Sequence, residues 1–174
     1  THFLIYIMNV IKYNQENNCV ALGTPNGFYI YTLNPVELRY KDTTEGIGCI
    51  EMLYCTSLVA VVGSGITAGS SPRKLKLWNL QNKELICELN FPNNVIDIKL
   101  SKRRMVVVLP DQIHIFDLNT LKCIQILAST SGCGSIGLLA YSMEPSCLIA
   151  FPSSTASASN KVVSTATSSN NSNN

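Results

Sequence analysis

The sequence predicts an all-β chain of the β-propeller type, here three four-stranded blades and half of a fourth, on three observations. The first is a segment that recurs: "GFYIYTL" at 27–33, "KLKLWNL" at 74–80 and "QIHIFDL" at 112–118 superimpose position by position. Each alternates apolar and polar residues, reaches an aromatic at Tyr31, Trp78 or Phe116, then a small polar residue, then leucine. Such period-2 alternation marks a strand with one face buried. The second is that each copy sits third in a run of four short strand-like segments. The third is spacing: 47 residues from Tyr31 to Trp78 and 38 from Trp78 to Phe116, bracketing the roughly 40–45 residues of a WD-type blade.

Taken in order, residues 1–8 are a leader running into the first strand. Blade one spans 9–42, with "NVIKYNQ", "CVALGT", the first copy and "ELRYK" as its four strands. Blade two spans 43–92, with "IGCIEMLY", "SLVAVVGSG", the second copy and "ELICEL", and it carries a Gly/Ser-rich loop at 63–73 that lengthens it. Blade three spans 93–128, with "VIDIKLS", "RMVVVLP", the third copy and "LKCIQIL". Residues 129–152 open a fourth unit with "SIGLLAYS" and "SCLIAFP". From 153 to 174 the chain turns to Ser, Thr, Asn and Ala, with Lys161 its one charge. That tail has too little apolar area to offset the entropy of ordering it, so disorder is expected.

Bulk properties exclude several function classes. A length of 174 residues and 46% hydrophobic content suffice for one cored domain. A net charge of +2 is too small for nucleic-acid binding through bulk electrostatics. The seven cysteines, at 19, 49, 55, 87, 123, 133 and 147, show no paired spacing and read as reduced, buried thiols of a cytosolic protein. His2 and His114 have no cysteines at zinc-ligand spacing. The apolar run Phe3–Ile11 is far shorter than the roughly 20 residues of a membrane span. It also lacks the basic region and cleavage site of a signal peptide. "GSGITAG" at 63–69 has the wrong glycine spacing for a dinucleotide fingerprint and reads as a flexible loop. His114 and Asp117, three apart on one strand, point to opposite faces and form no catalytic pair. "NNS" at 170–172 matches a glycosylation acceptor, but no secretory signal accompanies it. No enzyme signature and no cofactor motif is present.

The collinear segments "YNQENNCVALGTPNGFYIY", "IEMLYCTSLVAVVGSG", "SPRKLKLWN", "ELICELNFPNNVIDIKLSKRRMVVVLPDQIHIFDLNTLKCIQIL" and "LIAFPSS" resemble the PROPPINs, the β-propellers that bind phosphoinositides in autophagy. The similarity runs from Val10 to Pro152. It implies a seven-bladed, degenerate WD-repeat propeller that recognises phosphatidylinositol 3-phosphate and the 3,5-bisphosphate. It also implies a cytoplasmic scaffold, peripheral to autophagosomal-precursor, endosomal or vacuolar membranes. The family holds its lipid headgroups with a Phe-Arg-Arg-Gly motif in later blades, and no such motif occurs here. The chain therefore reads as the N-terminal half of a PROPPIN, with no lipid-binding residue of its own. It would bind phosphoinositide membranes only with the missing blades.

Two basic features are candidate partner sites. Pro72 and Arg73 end the blade-two loop; in the family a matching Pro-Arg contributes to binding the large lipid-transfer partner of autophagy. "SKRR" at 101–104 forms a turn in which adjacent cations repel unless something acidic faces them. In the family, basic residues between blades two and three receive an acidic helical segment of the autophagy scaffold. Arg104 matches the second arginine of the family's Asn-Arg-x-Arg pattern, Lys102 replaces the first, and Arg103 occupies its variable position. The leading function is thus a non-enzymatic binding module, with self-association through its open blade faces. The alternatives are a generic WD-repeat interaction scaffold and a non-functional truncated fragment.

Overall fold

A computed structural model describes residues 8–128, 140–141, 148–151 and 161–164, and every regular element among them is a strand. Blade one is the antiparallel sheet β1 (Val10–Tyr13), β2 (Cys19–Thr24), β3 (Gly27–Leu33) and β4 (Val36–Asp42). Blade two is β5 (Ile47–Met52), β6 (Leu58–Gly63), β7 (Lys74–Asn79) and β8 (Glu84–Asn90). Blade three is β9 (Asp97–Leu100), β10 (Arg104–Val108), β11 (Gln112–Asp117) and β12 (Cys123–Ala128).

The recurring segment is the third strand of each blade, and its sequence features have local causes. Each third strand carries a register shift against the fourth at the same repeat position: Ile30/Tyr31, Leu77/Trp78 and Ile115/Phe116. Such bulges sharpen the local twist, and here they fall where the aromatic begins. The small polar residue that follows ties down the turn beyond it. Thr32 Oγ1 donates to the Pro35 carbonyl, Asn79 Oδ1 accepts from the Gln81 amide, and Asp117 Oδ1 accepts from the amides of Asn119 and Thr120.

Two-sided burial of the middle strands lets the blades stack. Val59, Ala60, Val61 and Val62 of β6 are all buried, as are Met105–Val108 of β10. One face of β6 packs with Phe28, Ile30, Ile47 and Ile50 toward blade one. The other joins Leu75, Leu77, Phe91, Ile98, Leu100 and Met105 toward blade three. Val106, Val108, Ile113 and Ile115 pack on Ile149 of the fourth unit. On β1, Ile11 and Tyr13 stay 49% and 58% exposed among the described residues.

The fourth unit departs from expectation. Beside β13 (Ala140–Tyr141) and β14 (Leu148–Phe151) lies β15 (Lys161–Ser164), pairing Ile149 with Val163 and Ala150 with Val162. The β-branched pair Val162–Val163 gives this short stretch strand character despite the polar composition around it. The expected half blade therefore has a third strand, within the span read as disordered. The rest of 153–174 lies outside the described residues. Among the described residues no helix is long and apolar enough to cross a membrane.

Because each blade is an antiparallel meander, its turns segregate. The first-to-second and third-to-fourth strand turns emerge at one end, here the turn end. The second-to-third loops and the inter-blade connections emerge at the other, the connection end. The two candidate partner sites fall at opposite ends.

Candidate partner-binding sites

At the turn end, Ser101–Arg103 link β9 to β10. Ser101 is buried, and its Oγ accepts from the Arg104 amide at 3.0 Å, closing a tight turn. That turn sets the phase of the cations. Lys102 and Arg103 point out, while Arg104 is drawn inward and only 6% exposed. Arg104 Nη1 donates to Asp117 Oδ2 at 2.6 Å and to the Arg103 carbonyl at 3.1 Å. Its Nε is buried without an acceptor. The Thr120 amide, with the Thr120 hydroxyl, the Asn119 amide and Arg104, holds the Asp117 carboxyl below its usual range. The acidic group that relieves the cation cluster is thus supplied by the chain itself. Arg104, expected as a surface contact, braces the turn. Lys102 reaches across the seam, its ammonium 5.4 Å from the centre of the Tyr54 ring on the β5–β6 turn of blade two.

Tyr54 is itself held in place. Its φ of 50° lies in the left-handed region that a bulky side chain rarely adopts. Gln15, from the β1–β2 turn, accepts the Tyr54 amide on Oε1. Its Nε2 donates to the Met52 carbonyl at 2.7 Å and the Leu100 carbonyl at 3.3 Å. One glutamine therefore links blades one, two and three beneath the Lys102 turn. Beside it the first strands converge on a charged cluster. Lys12 Nζ and Lys99 Nζ approach the two carboxylate oxygens of Asp97 at 2.8 and 3.1 Å. Glu51, 6% exposed, faces the same group, and burial pushes its carboxyl up to about 7 against the pull of Lys99 and Lys12. Burial works to lower the Lys12 pKa, but the hydrogen bond and charge of Asp97, with Lys99 and Glu51, together outweigh it and raise the pKa. Sequence reasoning missed this cluster, whose members come from three strands of three blades and share no motif.

At the connection end, the 63–73 loop is built rather than loose. The Ser64 amide donates to the Gly46 carbonyl, the Gly65 amide to the Ser70 carbonyl, and the Ser70 amide to the Thr67 carbonyl. Thr67 Oγ1 also accepts from the Gly46 amide. Gly65 and Gly69, at φ of 76° and 86°, supply the left-handed residues this path needs. The expectation of a flexible loop gives way to a hydrogen-bonded one, because hydroxyls take up the backbone groups. Pro72 and Arg73 are anchored by their carbonyls, which accept from the Val95 and Phe91 amides at 2.8 Å each. Arg73 is exposed, and its side chain makes no hydrogen bond or ion pair among the described residues. Its basic neighbours are occupied: Lys74 pairs with Glu88 and Lys76 with Glu45, each at 2.7 Å.

Between blades one and two, a cleft of about 490 Å³ opens at the turn end, with Arg39 and Gln81 at its rim and Cys19, Met52 and Leu80 deeper in. The thiols of Cys19 and Cys55 meet there, Sγ to Sγ 3.7 Å. Of the described cysteines, Cys19 and Cys49 are buried, Cys55 and Cys87 half-buried and Cys123 exposed, so the expectation of uniformly buried thiols holds only in part. His114 is half-buried, bonds Gln112 Oε1 at 3.0 Å, stacks on Phe116 and meets Phe91 edge to face, and burial lowers its pKa.

Comparison with known proteins matches this architecture to one family. The family model for PROPPIN matches residues 7–171. Autophagy-related protein 18 of Yarrowia lipolytica is 39% identical over 135 residues, covering 78% of this chain and 34% of that protein. Its namesake in Debaryomyces hansenii is 45% identical over 125 residues, covering 71% and 22%. The chain thus spans about a third of the first of these relatives and less of the second. Among solved structures, the complex of KlAtg21 with the coiled coil of AgAtg16 aligns with a TM-score of 0.72 at 26% identity, covering 90% of this chain and 51% of that one. Kluyveromyces lactis Hsv2 aligns with a TM-score of 0.70 at 23% identity, covering 85% and 42%, a likeness of fold. With three propeller blades in the same strand order and a family match over nearly its whole length, the chain belongs to the PROPPIN family of autophagy-related β-propellers.

Proposed function

We propose that this chain is a non-enzymatic scaffold module of autophagy whose turn end docks an acidic helical segment across blades two and three. The observation that carries the reading is Lys102. It is exposed, it has no acidic partner among the described residues, and it leans over Tyr54 so that its charge straddles the seam. Arg103 adds a second exposed cation beside it, and Arg104, committed to Asp117, fixes the turn that presents both. The solved complex of KlAtg21 with a coiled coil supports the choice of a helical occupant. Pro72 and Arg73 form a separate docking point at the connection end, for a second partner such as the lipid-transfer protein that the family engages. Selective phosphoinositide recognition belongs to other blades, because converging bidentate arginines are what a headgroup requires. Lys12, Lys74, Lys76, Lys99 and Arg104 are already paired within the chain. Membership of an autophagy-related family supports action at autophagosomal-precursor, endosomal or vacuolar membranes.

The test is titration calorimetry of the chain with an acidic coiled-coil peptide. Each close charge pair removed by Lys102→Glu or Arg103→Glu is expected to weaken binding by about 1–3 kcal/mol where desolvated. Undiminished affinity in the double variant would overturn the assignment.

A further inference from the structure

We infer that Cys19 and Cys55 are an oxidation site, a thiol pair that closes into a disulfide across the seam between blades one and two. Cys19 is the first residue of β2 and is 2% exposed, whereas Cys55 sits half-exposed on the β5–β6 turn of the next blade. Their sulfurs are 3.7 Å apart, and a disulfide needs them at about 2.05 Å. That closure is small, and it falls on a turn rather than on two rigid strands. The cleft lined by both cysteines gives a small oxidant a route to them.

The surroundings assign the two sulfurs different roles. Cys55 Sγ donates to Asn18 Oδ1 at 2.8 Å and lies 3.6 Å from Glu16 Oε2, while Asn14 Nδ2 donates to it at 3.3 Å. Asn14 is 2% exposed, and its Oδ1 is fixed by the amides of Asn18 and Cys19, so the donor aimed at the sulfur is held in position. Cys55 is the sulfur that meets the oxidant. With hydrogen peroxide as that oxidant, the Cys55 thiol gives its proton to solvent and its thiolate attacks one peroxide oxygen. The O–O bond breaks, Cys55 becomes a sulfenic acid, and the leaving hydroxide takes a proton to become water. Cys19 Sγ then attacks the sulfenic sulfur, the S–O bond breaks, and its proton leaves with that oxygen as a second water. Two thiols have lost two electrons and the peroxide has gained them. Burial and the neighbouring Cys19 raise the Cys55 thiol, so the reaction is slow at neutral pH and accelerates as pH rises.

The full chain treated with hydrogen peroxide, alkylated and digested should yield a peptide linking Cys19 to Cys55, formed faster at pH 9 than at pH 7 and removed by dithiothreitol. In denaturing urea the preference for that pair should vanish, since geometry creates it. In Cys19→Ser, dimedone should trap a sulfenic acid at Cys55 that the unaltered chain does not accumulate. If Cys19 and Cys55 both remain alkylatable under peroxide that oxidises the exposed Cys123, or if other pairings dominate in the folded chain, the inference is wrong.

Discussion

Blade two is held by two seams built on different principles. Toward blade three, Leu75, Leu77, Phe91, Ile98, Leu100, Met105 and Val107 form one continuous apolar interface, with five of the seven at 0% exposure. Toward blade one, a smaller apolar cluster is flanked by amides, thiols and a cleft of about 490 Å³. There Gln15, Asn14 and Asn9 reach across to Met52, Cys55 and Ile47. Dispersion and burial hold the first seam and tolerate little loss of volume. Hydrogen bonds specify the second, which leaves room for chemistry between the blades. The largest expected effect exploits that contrast. Ile98→Ala, at a site with no exposure, should cost in the upper half of the range of about 2–5 kcal/mol for such truncations. Met52→Ala, whose side chain already lines the cleft, should fall in the lower half. Equal losses in urea denaturation would erase the distinction.

A second experiment probes the charged cluster where the first strands meet. Glu51 has a folded pKa of about 7 against an unfolded value of 4.5, so between those pH values the folded chain binds a proton that the unfolded chain has lost. Stability is then fullest below the unfolded value and falls as pH rises through the folded one, by about 3 kcal/mol in all if this group acts alone. The Glu51→Gln variant, which keeps the shape and cannot ionise, should flatten the decline between pH 5 and 8. The Lys12 pKa is also raised, which favours its charged form, and its contribution is lost only as pH climbs above the ordinary lysine range. It therefore leaves the neutral window to Glu51. A slope unchanged by Glu51→Gln would relocate the titration to another group.

The fold was legible because its signal is local and repeated. Alternation in "KLKLWNL" specifies the inward Leu75 and Leu77, and the aromatic with its polar successor marks the bulge and the turn cap in all three blades. The strand at Lys161–Ser164 was hidden because two β-branched valines in a polar tract are too short a signal to mark a strand without the partner that β14 provides. In "SKRR" the charges were visible, but their phase was not. Arg103 and Arg104 are chemically identical, and the bond from Ser101 Oγ to the Arg104 amide decides which faces solvent. Gln15, Glu51 and the Cys19–Cys55 pair were illegible for a deeper reason. Their meaning lies in partners brought together only when blades stack, so no local window contains them.

The smallest expected effect concerns Arg73. Its carbonyl is anchored to Phe91, but its side chain is exposed and makes no hydrogen bond or ion pair among the described residues, so Arg73→Glu should change stability by no more than about 0.5 kcal/mol. Its consequence for binding follows from distance. Strands of five or six residues separate the two ends of a blade by about 17–20 Å, twice the Debye length of about 8 Å at physiological salt. Reversing Arg73 should therefore leave the affinity of an acidic coiled-coil peptide for the Lys102 turn unchanged at 0.15 M salt, while Lys102→Glu lowers it. At low salt the two variants should converge modestly, through slower association rather than faster release. Equal losses from both variants at physiological salt, read by calorimetry, would mean that a single ligand spans both ends and that the two surfaces are one.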